Sequence, residues 1–121
     1  NADAIHQQST ELLRRLAFRF PEVAAYRVFS ATALREHGLT LREMNRLDES
    51  IRILDEAVGE QAAFLAARPQ SVFGRKEMAS DLRLLSDTLR EAGQTDRADS
   101  LSRQARTFWK QRPIEETNSA E

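Results

Sequence analysis

The side chains in this sequence that could do chemistry are two histidines, a few carboxylate pairs and an abundance of arginine. His6 and His37 each lack a second histidine or a carboxylate four residues on, so no helical metal pair forms. Glu-x-x-His, the carboxylate di-iron signature, is absent as well. His37 is expected to pack inside with its polar tip satisfied or snorkelling, rather than to serve as a ligand. Glu56 with Glu60, and Asp87 with Glu91, fall four apart on one helix face, where they could hold a cation or trade protons. The commoner outcome for such pairs is a solvated face beside arginine. No Gly-rich phosphate loop, nucleophile elbow or zinc motif is present, and there is no cysteine to act as thiolate or metal ligand. The expectation is a non-enzymatic chain with no metal and no cofactor.

Arginine is the more informative feature. All but two of the 18 basic residues are arginine, the exceptions being Lys76 and Lys110. Arg35 and Arg42 stand seven apart, two helical turns on one face, and so do Arg83 and Arg90. Guanidinium rows of this kind favour carboxylates, either an acidic segment or a chain terminus. The competing outcome is pairing within one face, Arg83 with Asp87 and Glu43 with Arg46. With 19 acidic residues the formal net charge is −1, so no bulk field draws the protein to nucleic acid or anionic lipid. The longest uncharged apolar run, Ala62 to Ala67, is far below the roughly 20 residues that cross a bilayer. A soluble, cytoplasmic protein with no membrane contact is expected.

At 121 residues, with 40% hydrophobic and 31% charged residues, the chain can bury one core. Shifted on itself by 48 residues, it matches at 11 of the 37 positions from 21 to 57, among them Pro21/Pro69, Arg27/Arg75 and Thr40 to Glu43 with Thr88 to Glu91. A duplicated supersecondary unit is the simplest cause. Each copy has apolar residues alternating three and four apart. Leu34, His37, Leu41 and Met44 answer to Leu82, Leu85, Leu89 and Ala92, which predicts a leading helix in each unit. Leu47, Ile51, Leu54, Val58 and Leu65 predict a long second helix in the first unit, and Ala98, Leu101, Ala105 and Phe108 one in the second. Ile5 to Phe20 predicts a helix ahead of both. Asn45 and Gly93 should end the leading helices in left-handed conformation, and Pro21 and Pro69 should open the units from the first helical position. The extra length is assigned to the second helix of unit one and the leading helix of unit two. The boundaries read as 1–20, a helix from a preceding unit; 21–68 and 69–112, the two units; and 113–121, a tail expected to be disordered.

Leu34, His37-Gly38, Leu41, Asn45, Ser50, Leu54 and Ala57, repeated as Leu82, Leu85-Ser86, Leu89, Gly93, Ala98, Ser102 and Ala105, resemble the tetratricopeptide repeat over roughly 31–62 and 79–110. The stretch Leu13 to Arg27 is similar to long-unit arrays appended to bacterial serine/threonine kinases. The resemblance implies an all-α, right-handed superhelical stack of antiparallel hairpins. It also implies a concave groove, lined by the leading helices, for a peptide or partner helix. The implied groove positions are Thr32, Arg35, Leu39, Arg42 and Glu43, with Ser80, Arg83, Asp87, Arg90 and Glu91. Leu39 and Asp87 stand where an asparagine clamp for carboxylate would be, so that variant is not matched. The alternative is a regulatory helical domain with a small ligand between helices, touched by His37 and the arginines. Phe108 and Trp109, where the first unit has Glu60 and Gln61, are expected to cap the last hairpin or to meet a second copy of the chain in a homodimer. A scaffold module from a longer chain is the resulting expectation.

Overall fold

The computed structural model describes the backbone of residues 2–110 and the side chains of residues 3–108. It is all helix there: α1 (Ala2–Arg19), α2 (Ala24–Glu43), α3 (Leu47–Ala67), α4 (Val72–Glu91) and α5 (Thr95–Lys110). Each helix packs on the next in chain order, which makes α2–α3 and α4–α5 successive hairpins with α1 laid against α2. No helix among the described residues is long and apolar enough to cross a membrane. The expected tail from 113 onward lies outside the described residues, as does the side chain of Trp109.

Local chemistry explains the hairpins. Asn45 and Gly93 both adopt positive φ, 60° and 84°. In each case the residue directly after the left-handed one folds its N–H back. Arg46 N donates to Leu41 O at 2.9 Å and Gln94 N to Leu89 O at 2.8 Å, a Schellman closure in both copies. The prolines depart from the expectation. Pro21 and Pro69 sit in turns three residues ahead of α2 and α4, and not at the first helical position. Val23 N donates to Phe20 O at 3.0 Å and Ser71 N to Arg68 O at 3.1 Å, so each proline holds the second place of a four-residue turn that its fixed φ suits. The extra repeat length falls in α3, 21 residues, and α4, 20 residues, as expected, and also in α2, which is 20 residues long as well.

The interior is built by the repeat and then varied within it. Ile51 and Leu54 on α3 meet Leu85, Leu89 and Ala98 from the second hairpin. Leu65, Met78, Leu82 and Ala105 form a second cluster, against which Phe108 packs. At the crossing of each hairpin a serine bonds the opposite backbone. Ser50 Oγ donates to Gly38 O at 2.7 Å, and Ser86 Oγ donates to Ala98 O at 2.7 Å. Positions 38/50 and 86/98 are equivalent, so the two copies keep one hydrogen bond and exchange its donor and acceptor helices. The outward side of α5 is polar: Asp99, Ser102 and Arg106 replace Ile51, Leu54 and Val58 of α3. The apolar stripe that joins one hairpin to the next is therefore not repeated on α5.

Candidate functional site

The leading helices α2 and α4 are bridged side by side by ion pairs. Arg35 Nη1 lies 2.6 Å from Glu77 Oε2 and 3.3 Å from Asp81 Oδ1. Arg42 Nε donates to Glu91 Oε1 at 2.9 Å, and its Nη2 reaches the same oxygen. Arg90 turns the other way, onto Asp99 Oδ1 at 2.7 Å and Ser102 Oγ at 3.1 Å of α5. Three of the four repeated arginines are thus engaged within the chain. Neither within-face pairing forms, since Arg46 bonds Glu49 and Asp3 while Arg83 has no hydrogen bond or ion pair among the described residues.

What remains open on this face is Leu39, 36% exposed, with the exposed charges Glu43, Arg83 and Asp87. Glu43 and Asp87, like Arg83, have no partner of either kind among the described residues. Thr32 is half-buried, its hydroxyl bonded to Val28 O at 3.0 Å, and Ser80 is exposed. Helix geometry places these residues along one side of the α2/α4 pair. The arginine that could meet a carboxylate there is Arg83. Arg42 holds the Glu91 carboxyl below the usual range, through its hydrogen bond first and its charge after.

The sequence did not single out the two carboxylates beside Arg35, the half-buried Glu77 and the buried Asp81. Asp81 is 1% exposed and neither of its oxygens has a hydrogen-bond partner. Burial pushes its carboxyl up to about 7, against the attraction of Arg35 and with help from the nearby Glu77 charge. The legible signal lay in the mismatches of the repeat. Positions 77 and 81 are acidic where their counterparts are Phe29 and Ala33, so the second unit alone carries carboxylates facing the first.

His37 is buried as expected, but its tip neither snorkels nor is fully satisfied. Nε2 is 2.5 Å from Asp3 Oδ1, and Nδ1 has no partner. The His6 ring stacks on it at 5.3 Å between centroids. The bond with His37 holds the Asp3 carboxyl below its usual range, with Arg46 acting in the same direction and burial against it. His37 lines a cavity of about 240 Å³ between α1, α2 and α3, together with Thr10, whose buried hydroxyl is also without a partner. The carboxylate pairs are divided: Glu56 bonds Arg14 at 3.1 Å while Asp87 stays open. Among the described residues no group of three His, Cys, Asp or Glu is arranged to hold a metal ion. Phe108 is half-buried against the second cluster.

A search of family models, curated proteins and solved structures gives no match to this chain.

Proposed function

We propose that this protein is a non-enzymatic interaction module of tetratricopeptide type, which receives a peptide or partner helix on the α2/α4 face. The observation that supports it is the row of Leu39, Glu43, Arg83 and Asp87 on that face, exposed and with the three charges unpaired among the described residues. Exposed charges flanking an apolar side chain suit a recognition surface that selects by register, with the apolar contact at its centre. Arg35 and Arg42 have a different task here. They tie the two hairpins together, so that the face is rigid before a partner arrives. The occupant is selected by Leu39 and mixed charge, and the acidic character first expected of it falls to Arg83 alone.

Selection from a random peptide library, followed by titration of the selected peptide into isotope-labelled protein, tests this reading. The expected result is chemical-shift change centred on Leu39, Arg83 and Asp87, with binding weakened about tenfold or more by Leu39→Asp, a loss typical of an anchor residue. Shifts confined to other faces, or an unaffected Leu39→Asp variant, would overturn it. Arg35→Glu is unsuitable as a binding probe, because it breaks the tie to Glu77.

A second reading, a small polar ligand held between helices, is favoured by one observation: Thr10 Oγ1 and His37 Nδ1 are both unpartnered beside the cavity of about 240 Å³. Native mass spectrometry should then find a retained low-mass species that Thr10→Leu abolishes. A mass equal to that of the bare chain counts against it.

A further inference from the structure

The duplication points to a second site, lined by α1, α2 and α3 and independent of the function proposed above. In the second unit, Phe108 rests against the cluster containing Leu65, and the Arg75 guanidinium lies over its ring at 5.4 Å from the centroid. Arg75 Nη2 also reaches the Phe108 carbonyl at 3.4 Å. An aromatic residue is therefore seated beneath an arginine that both covers its ring and takes its backbone oxygen. Forty-eight residues earlier, the same three places are Ala17 of α1 for Leu65, Arg27 for Arg75 and Glu60 for Phe108.

Neither large apolar group is thus present at the earlier places, and the arginine is kept. The consequence is a cavity of about 700 Å³ lined by these residues and by the end of α1. Phe18, 90% exposed, forms part of its wall. Arg14, Arg15 and Arg19 add three further guanidiniums, two of them already held by carboxylates, so that Arg19 and Arg27 are the two without an acidic partner among the described residues. Arg14 is paired with Glu56 and Arg15 with Glu11, both pairs reaching toward solvent, while Arg19 lies over the Phe20 ring. Arg27 and Glu60 have no hydrogen bond or ion pair among the described residues.

We propose that this niche binds an acidic peptide segment through an aromatic side chain, the ring taking beneath Arg27 the place that Phe108 holds beneath Arg75. The peptide carbonyl of that residue is the acceptor for Arg27. Carboxylates on either side of the ring meet the guanidiniums of α1, which supply bidentate donors to an otherwise apolar cup. The chemistry requires both halves: a ring to fill the apolar space and negative charge to match the rim.

The test is calorimetric titration with a capped peptide carrying phenylalanine between pairs of glutamates. The controls are the same peptide with alanine for phenylalanine and one with lysines for the glutamates. The first should bind, and either change should weaken it about tenfold or more, the scale of one lost cation–π or charge-assisted contact. Arg27→Ala should weaken it by a similar factor and Arg83→Ala should not. Glu60→Phe, which copies the second unit, should abolish binding while leaving the melting temperature no lower than that of the wild type. Ala17→Leu is a second plug with the same expected result, should Glu60→Phe lose helical content. The inference is overturned if the phenylalanine peptide gives no heat or binds no better than its controls. A folded plug variant that binds as the wild type also overturns it. So does Arg83→Ala weakening binding as much as Arg27→Ala, which would move the peptide to the α2/α4 face. Light scattering that shows a dimer dispersed by Arg27→Ala would assign the niche to a second copy, and likewise overturns it.

Discussion

Asp81→Asn is expected to stabilise the protein at pH 8 and to change it little at pH 5. The carboxyl has a folded-state value of about 7 against 3.8 for the unstructured group, because it is buried on α4 with both oxygens unbonded. A raised carboxyl binds its proton more tightly in the folded chain than in the unfolded one. Its contribution is therefore fully present below about 3.8 and is lost as pH rises toward and through 7. The loss across that window is on the order of 4 kcal/mol at 1.36 kcal/mol per pH unit, a large share of the roughly 5–15 kcal/mol that holds a domain folded. Asparagine cannot ionise, and Arg35 keeps Glu77 at 2.6 Å in either case. The lowered carboxyls of Glu91, Glu49 and Asp99 act in the opposite direction, each held down first by a hydrogen bond from arginine. Their contribution is present above the unfolded value and fades in acid. Urea unfolding at pH 5 and pH 8, above the range in which those three carboxyls take up protons, isolates Asp81: the wild-type midpoint should fall from pH 5 to pH 8 and that of Asp81→Asn should hold. Parallel profiles for the two proteins would remove Asp81 as the cause.

The second large effect is expected at the crossing of α2 and α3. A Cβ at Gly38 would stand 2.6 Å from Leu54 Cγ, inside any real contact distance, and Leu54 is only 1% exposed with little room to move. Gly38→Ser should cost about 1–3 kcal/mol as overpacking, despite the better helix propensity of serine. The second unit shows the compensated arrangement. It has Ser86 at the glycine position and Ser102 at the leucine position, their hydroxyls 2.7 Å apart. Larger on one helix is smaller on the other. Leu54→Ser alone removes a core side chain and should also destabilise. The pair Gly38→Ser with Leu54→Ser should recover about 0.5–3 kcal/mol relative to the sum of the single changes, the range of coupling for residues in contact. A double-mutant cycle by denaturant unfolding measures it, and strict additivity would mean that this contact does not set the hairpin spacing.

These two sites show how the chain uses its duplication. Where the two units agree, at Asn45/Gly93, Pro21/Pro69 and the Leu34/Leu82 row, the residues serve the hairpin itself. Several of the differences serve the relation between hairpins. Phe29/Glu77 and Ala33/Asp81 create the seam that Arg35 closes, while Arg42 closes on Glu91, a residue shared with Glu43 of the first unit. Leu54/Ser102 and Ile51/Asp99 turn the outward side of α5 polar. Ala17/Leu65 and Glu60/Phe108 open one niche and fill the other.

By itself the sequence determined the five helices, their turns and the two-hairpin duplication, because those depend on spacing of three and four residues and on left-handed or φ-restricted residues at chain reversals. Such interactions are short in sequence, and the residues that make them are neighbours in any fold. Only the tertiary structure decided the fate of the arginines. The partners of Arg35 and Arg42 lie 42 and 49 residues away, and no local pattern distinguishes a guanidinium aimed at the next hairpin from one aimed at solvent. The same holds for His37, whose carboxylate partner is 34 residues distant, and for the niche, which exists because side chains from three helices fail to meet. Charges and cavities are decided by what stands opposite, and that is known only once the helices are stacked.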